Sequence, residues 1–222
     1  MKLLAIDTST EKASVALKNN DELTELTQDS QKTHAQLVLP MIDQLLVDSG
    51  LAINQLDGVI FGCGPGSFTG LRIACSIAKG LAYAHDLALT PVSSLGTIAW
   101  KVRQMKNNAD LPVLALLDAR MQEMYWSYFA SGQLIAEEKV CASAQIQIPA
   151  GQAVIAAGVG IDQYSINFSE QLKSQISTQL LIYPEAGAMI ELALGAAIEP
   201  VSVAAAQPVY VRNQVTQGAP RG

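Results

Sequence analysis

A carboxylate followed by three hydroxyls, Asp7-Thr8-Ser9-Thr10, closes the apolar run Leu3-Leu4-Ala5-Ile6. At the end of a strand such a set can hold a metal-bound water and receive a phosphate in a tight turn. Phosphate loops of that kind read Asp, any residue, Gly, then Thr or Ser, because glycine lets the backbone approach phosphate closely. Ser9 stands at the glycine position, and its side chain hinders a phosphate. The other reading is a hydroxyl-rich turn in which Asp7 accepts backbone hydrogen bonds. The serine favours that second reading, so a vestigial phosphate loop is expected, with no catalytic residue in it.

A second candidate is the turn Gly62-Cys63-Gly64-Pro65-Gly66-Ser67-Phe68-Thr69-Gly70. It is no P-loop, since Gly70 is followed by Leu71 rather than Lys. Ser67 replaces the third glycine of a dinucleotide fingerprint, and Pro65 removes an amide donor. It is no nucleophile elbow, since Ser67 directly follows Gly66. What remains is a tight turn entering a helix capped by Ser67 or Thr69, with Gly64, Gly66 and Gly70 at its bends. Arg72 falls in the first helical turn, where it opposes the dipole and leaves room for a bound anion.

His34 and His85 are the two histidines and form no HExxH, so a zinc peptidase site is unsupported. His34 is expected to cap or pack near its helix start. Cys63, Cys75 and Cys141 form no CxxC and read as thiols of a reduced compartment. No metal site and no cofactor are expected.

The chain has 222 residues, half of them hydrophobic and 15% charged, with net charge −6. That composition supports packed cores. It gives no basic footprint for gripping nucleic acid, so any nucleic acid must be held by another chain. No apolar stretch is long enough to cross a bilayer, and the opening lacks the apolar core of a signal peptide.

The elements that position these loops occur twice. Strands are expected at Leu3 to Asp7, Ala13 to Leu17 and Glu22 to Thr27, followed by a helix from Thr33 to Ser49 ended by Gly50. Then come the strand Gly58 to Gly62, a helix from Thr69 to Ala84, the strand Ala88 to Val92 and a helix from Ser94 to Met105. After Asn107-Asn108 the order begins again: Leu114 to Asp118 echoes Leu3 to Asp7, and Met124 to Tyr128 the second strand. Leu134 to Lys139 echoes the third, and Ile155 to Gly160 echoes Val59 to Gly64. Residues 165–179 are polar, a last helix runs from Glu185 to Leu194, and Gly218 to Gly222 reads as a frayed tail. The expected fold is α/β, a duplicated ribonuclease-H-like plan of two lobes with mixed sheets flanked by helices. Its divisions are residues 1–108 and a smaller lobe 109–222. Sugar kinases, actin and the seventy-kilodalton heat-shock proteins share this plan, the ASKHA type.

Both helices of the first lobe are apolar around most of their circumference. On the second, Arg72, Ser76, Lys79 and Tyr83 form one narrow polar stripe, and Ala74, Ala78 and Ala82 recur every four residues, a spacing that permits close approach. An apolar girdle implies a second covered face. Leu37, Met41, Leu45, Ala74, Ala78, Lys79 and Ala82 are the candidate partner-facing residues; burial between sheet and second lobe is the alternative.

Three stretches together resemble the TsaB (YeaZ) family: Leu4-Ala5-Ile6-Asp7-Thr8-Ser9-Thr10, Gly64-Pro65-Gly66-Ser67-Phe68-Thr69-Gly70-Leu71-Arg72-Ile73 and Asp118-Ala119-Arg120-Met121. Pro208-Val209-Tyr210-Val211-Arg212-Asn213 matches that family's C-terminal signature, and His34 with Leu39-Pro40 falls as it does there. The resemblance implies a non-catalytic cytoplasmic subunit in tRNA threonylcarbamoyladenosine synthesis. Its partner would be the transferase TsaD, joined by the ATPase TsaE, with tRNA met only through the complex. Self-pairing is the expected cover for the helical face when the chain is alone. TsaD carries a metal-binding His-x-x-x-His where this chain has Ser94 and Ile98, neither of which replaces a histidine ligand. The rival readings are a sugar-kinase-type phosphotransferase or ATPase, which Ser9 opposes, and a glycoprotease-like metallopeptidase, which the scarcity of histidine opposes.

Overall fold

The computed structural model describes residues 1–29, 34–105 and 111–211. Thr33, Asn107-Asn108, Arg212-Asn213 and the tail Gly218 to Gly222 lie outside the described residues, as does the boundary at residue 108.

Among the described residues ten strands form two five-stranded sheets. The first sheet contains β1 (Lys2–Asp7), β2 (Lys12–Asn19), β3 (Glu22–Asp29), β4 (Gly58–Gly64) and β5 (Ala88–Ser93), in the order β3-β2-β1-β4-β5. The second contains β6 (Val113–Asp118), β7 (Glu123–Phe129), β8 (Lys139–Ala142), β9 (Val154–Val159) and β10 (Ile176–Leu181). Its order, β10-β9-β6-β7-β8, is the same path read from the other edge. In both, the first three strands pair antiparallel and the next two join parallel to the first. Identical order and direction in ten strands make this a duplicated, ASKHA-type fold. Central strands β1 and β6 are covered on both faces, which is why they read as unbroken apolar runs.

Layers follow from what each helix buries. Helices α1 (His34–Ser49) and α2 (Phe68–His85) cover one face of the first sheet through Val38, Met41, Leu45, Ala74, Ala78 and Ala82. The other face packs on α6 (Ala186–Gly195), whose Met189 and Ile190 meet Ala5, Ala16 and Ile60. Helix α3 (Ser94–Gln104) instead lends Leu95, Ile98 and Val102 to the second sheet's core. The halves therefore exchange a helix each. Trp100 Nε1 donates to Glu191 at 3.1 Å, and Lys101 pairs with Glu185, joining α3 to α6. The first turn of α6 is capped from the first sheet: Ser14 Oγ accepts from the Ala186 amide at 2.8 Å and Glu25 from Gly187 at 3.2 Å.

Two sequence expectations need correction. The third-strand echo is Lys139–Ala142, not Leu134 to Lys139. Residues 133–138 serve as a tied loop, in which Arg103 donates to the Ala130 and Gln133 carbonyls and Ser127 Oγ to Glu137 O. The polar stretch 165–179 in turn contains α5 (Glu170–Gln175) and most of β10. An edge strand with one paired side needs few apolar residues, so no alternation marks it.

Candidate functional site

The carboxyl ends of β1, β4, β6 and β9 face one another across a cleft of about 1060 Å³, lined by Ser9, His34, Phe68, Asp118, Tyr183 and Tyr210 among others. Ligands bind at such strand ends in open α/β sheets, so the chemistry of this cleft decides the function.

The Asp7 loop and the glycine-rich loop meet here, and they meet each other rather than leaving a phosphate cradle. Thr8 Oγ1 donates to Gly70 O at 2.7 Å, and the Ser67 amide donates to Ser9 O at 2.7 Å. A methyl at Gly66 would overlap the Ser9 carbonyl, and one at Gly70 the Thr8 carbonyl. Glycine at these positions makes room for protein backbone. The helix cap is Ser67, whose Oγ accepts from the Gly70 amide at 3.3 Å.

Asp7 is wholly buried. Its Oδ1 accepts from the Ser9 amide at 2.9 Å and Ser9 Oγ at 2.8 Å, while Oδ2 has no partner among the described residues. Burial pushes its carboxyl up to about 6, partly opposed by the Ser9 hydrogen bonds. Glu138, bonded to Ser93 Oγ, is likewise raised by burial to about 6. The Cys63 thiol is pushed up to about 12, chiefly by burial, so it is no nucleophile. Burial lowers His34, against the opposing pull of the Thr10 carbonyl and Glu11. In this arrangement neither Asp7 oxygen reaches the solvent of the cleft.

On the second-lobe side, Asp118 Oδ1 accepts from the Arg120 amide at 2.7 Å and the Tyr164 hydroxyl at 3.0 Å, and Oδ2 pairs with Arg120 at 3.1 Å. Arg120, Met121 and Gln122 all hold positive φ, a run that side chains seldom adopt. Among the described residues no cluster of three His, Cys, Asp or Glu could hold a metal. Ser94 and Ile98 are both fully buried in α3.

Of the candidate partner-facing residues, the structure places Met41, Leu45, Ala74, Ala78 and Ala82 in the core, each at most 3% exposed. Leu37 is half-buried against them, and Lys79 donates to Ala206 O at 3.1 Å. The alanine stripe draws α2 onto its own sheet, not onto a partner. The outer face of the helical layer shows Leu39, Val47 and Tyr83, exposed by 53, 68 and 82%. Spacing did not separate the two faces because both are apolar. Sequence reasoning also missed the C-terminal strap across α2. No local pattern marks a strap, and only its resemblance to a family signature pointed there.

Fold and cleft together define an ASKHA-type α/β protein whose phosphate-loop atoms are engaged internally. A family model described as TsaD: tRNA N6-adenosine threonylcarbamoyltransferase matches residues 25–214. The chain is 37% identical to the tRNA threonylcarbamoyladenosine biosynthesis protein TsaB of Haemophilus influenzae, over 97% of this chain and 95% of that protein. It is 41% identical to the Escherichia coli protein of that name over 58% of this chain and 55% of the other. The YeaZ structure from Pseudomonas aeruginosa superposes with a TM-score of 0.84 at 33% identity, covering 94% of this chain and 99% of that one. The chain belongs to the TsaB family of tRNA threonylcarbamoyladenosine biosynthesis proteins. Among the described residues no helix is long and apolar enough to cross a membrane.

Proposed function

We propose that this protein is a non-catalytic, cytoplasmic subunit of tRNA threonylcarbamoyladenosine synthesis. It binds TsaD and supports threonylcarbamoyl transfer to the adenosine beside the anticodon. TsaE joins the pair, and tRNA is held by the complex. The chain divides into lobes 1–108 and 109–222, with the partner face on the helices of the first. In the free chain that face is covered by a second copy.

One arrangement carries this proposal. Asp7 Oδ1, the Thr8 and Ser9 hydroxyls and the Ser9 carbonyl are engaged within the protein, against Gly70, Ser67 and one another, and Asp7 Oδ2 is buried away from the cleft. A phosphotransferase needs those groups directed at its substrate. Support for a partner comes from three large apolar side chains, Leu39, Val47 and Tyr83, that stand exposed on two helices sharing one core. The test combines the purified chain, TsaD and TsaE. Expected are a stable complex with TsaD, t6A formation that depends on this chain, and no ATP turnover by the chain alone. Turnover by the isolated chain, or no complex with TsaD, refutes the proposal.

A further inference from the structure

Two distant motifs meet at the cleft rim. Phe68 opens α2, while Tyr210 belongs to the strap that follows Ala206, anchored where the Val209 amide donates to Cys63 O at 2.7 Å. Their ring centroids lie 5.4 Å apart. The Arg72 guanidinium sits 3.4 Å above the Phe68 ring, and its Nε donates to the Tyr210 hydroxyl at 3.1 Å. One edge and one face of the guanidinium are thereby fixed, and the terminal nitrogens have no acceptor among the described residues.

The local charge is unbalanced. Helix α2 contains no Asp or Glu, and Arg72 enters none of the five ion pairs among the described residues. Of the segments outside the described residues, 30–33 and 212–222 contain no Asp or Glu, and 106–110 contains Asp110. The positive end of the helix dipole adds to the cost of a cation in this turn. Around that cation Phe68, Val209 and Tyr210 are 46, 44 and 43% exposed. An ordered arginine inside an exposed aromatic rim has the composition of an interface hot spot, and among the described residues it has no counter-charge.

We propose that the Phe68–Arg72–Tyr210 patch anchors an apolar, carboxylate-bearing segment of the partner subunit. The carboxylate forks onto the two terminal nitrogens of Arg72, and its apolar neighbours cover Phe68, Val209 and Tyr210. This rests on the partner reading above and extends that face to the cleft rim.

The test is calorimetric titration of TsaD into the full chain and its variants at low and moderate salt, with thermal unfolding of each variant alone. Arg72→Ala is expected to weaken binding by about tenfold or more and to flatten its salt dependence. Arg72→Lys retains charge without fork or stacking and should lose most of that affinity; Tyr210→Phe should lose less. Melting temperatures should stay unchanged. If Arg72→Ala and Arg72→Glu bind like the parent while Tyr83→Glu does not, the patch lies outside the interface and this proposal falls while the partner reading stands. Lowered melting in both Arg72→Ala and Arg72→Lys assigns a structural role and overturns it as well. If the unaltered chain does not bind TsaD, both fall together.

Discussion

Asp7 and Asp118 close equivalent strands in the two sheets, and each accepts a hydrogen bond from the amide two residues on, Ser9 at 2.9 Å and Arg120 at 2.7 Å. One turn has thus been kept in both halves, with different surroundings. Asp118 faces the cleft and carries Arg120 and Tyr164. Asp7 is sealed beneath the glycine-rich loop, with Oδ2 beside Gly62 and no donor among the described residues. The two halves share the turn, and only the second presents its aspartate to the cleft.

That burial has a pH signature. The Asp7 carboxyl is raised from its ordinary value of 3.8 to about 6. A raised carboxyl contributes stability fully below pH 4 and loses it as pH climbs through 6. The contribution amounts to roughly 2–3 kcal/mol, at about 1.4 kcal/mol per unit. Asp7→Asn should therefore flatten the fall in stability between pH 4 and 7. Urea unfolding at several pH values checks this, and an unchanged pH slope contradicts it.

Gly70 packs on the Thr8 carbonyl so closely that no Cβ fits. Gly70→Ala should destabilise by about 1–3 kcal/mol, as overpacking against backbone does. At Gly80 a methyl would have nothing within 4 Å of it, so alanine should be accepted there with no loss and a gain of up to about 1 kcal/mol from helix propensity. Paired melts of the two variants give the comparison.

The helical layer separates core from surface. Ala78 is fully buried, so Ala78→Arg should cost about 3–5 kcal/mol or prevent folding. Val47→Glu and Tyr83→Glu, at 68 and 82% exposed positions, should change stability by about 0.5 kcal/mol or less. Their effect should instead appear in TsaD binding. Differential scanning fluorimetry alongside a pull-down distinguishes the two classes.

Helix α6 depends on a cap from another part of the chain. Ser14→Ala leaves the buried Ala186 amide without its acceptor and should cost about 1–2 kcal/mol. Native-state hydrogen exchange should show the loss first in α6. Uniform loss across both sheets would mean that the exchanged helix is not a separate unit.

Much of this was legible in residue order. Apolar runs ending in Asp7 and Asp118 marked the central strands, because strands covered on both faces carry a dense signal. Ser9 marked the loop as departing from the phosphate-loop pattern, and its contacts with Asp7 are now visible. The surface of α2 was not legible: Ala74, Ala78 and Ala82 suit a helix or a sheet equally, and here the neighbour is β4 of the same chain. Strand β10 escaped for the opposite reason, since an exposed edge needs little hydrophobicity. The Arg72–Tyr210 contact spans 138 residues, a distance over which no periodicity carries information.

On the proposed reading this chain acts by binding, and its phosphate-loop aspartate is structural. The most direct measurement is t6A formation by reconstituted TsaD and TsaE supplied with the unaltered chain, Asp7→Asn or Tyr83→Glu, each first shown to be folded. Full activity with Asp7→Asn, within about twofold of the parent, together with loss of activity and of TsaD binding for Tyr83→Glu, is the expected result. A folded Asp7→Asn chain that binds TsaD normally yet lowers turnover about a hundredfold or more would contradict it and place catalytic chemistry at Asp7.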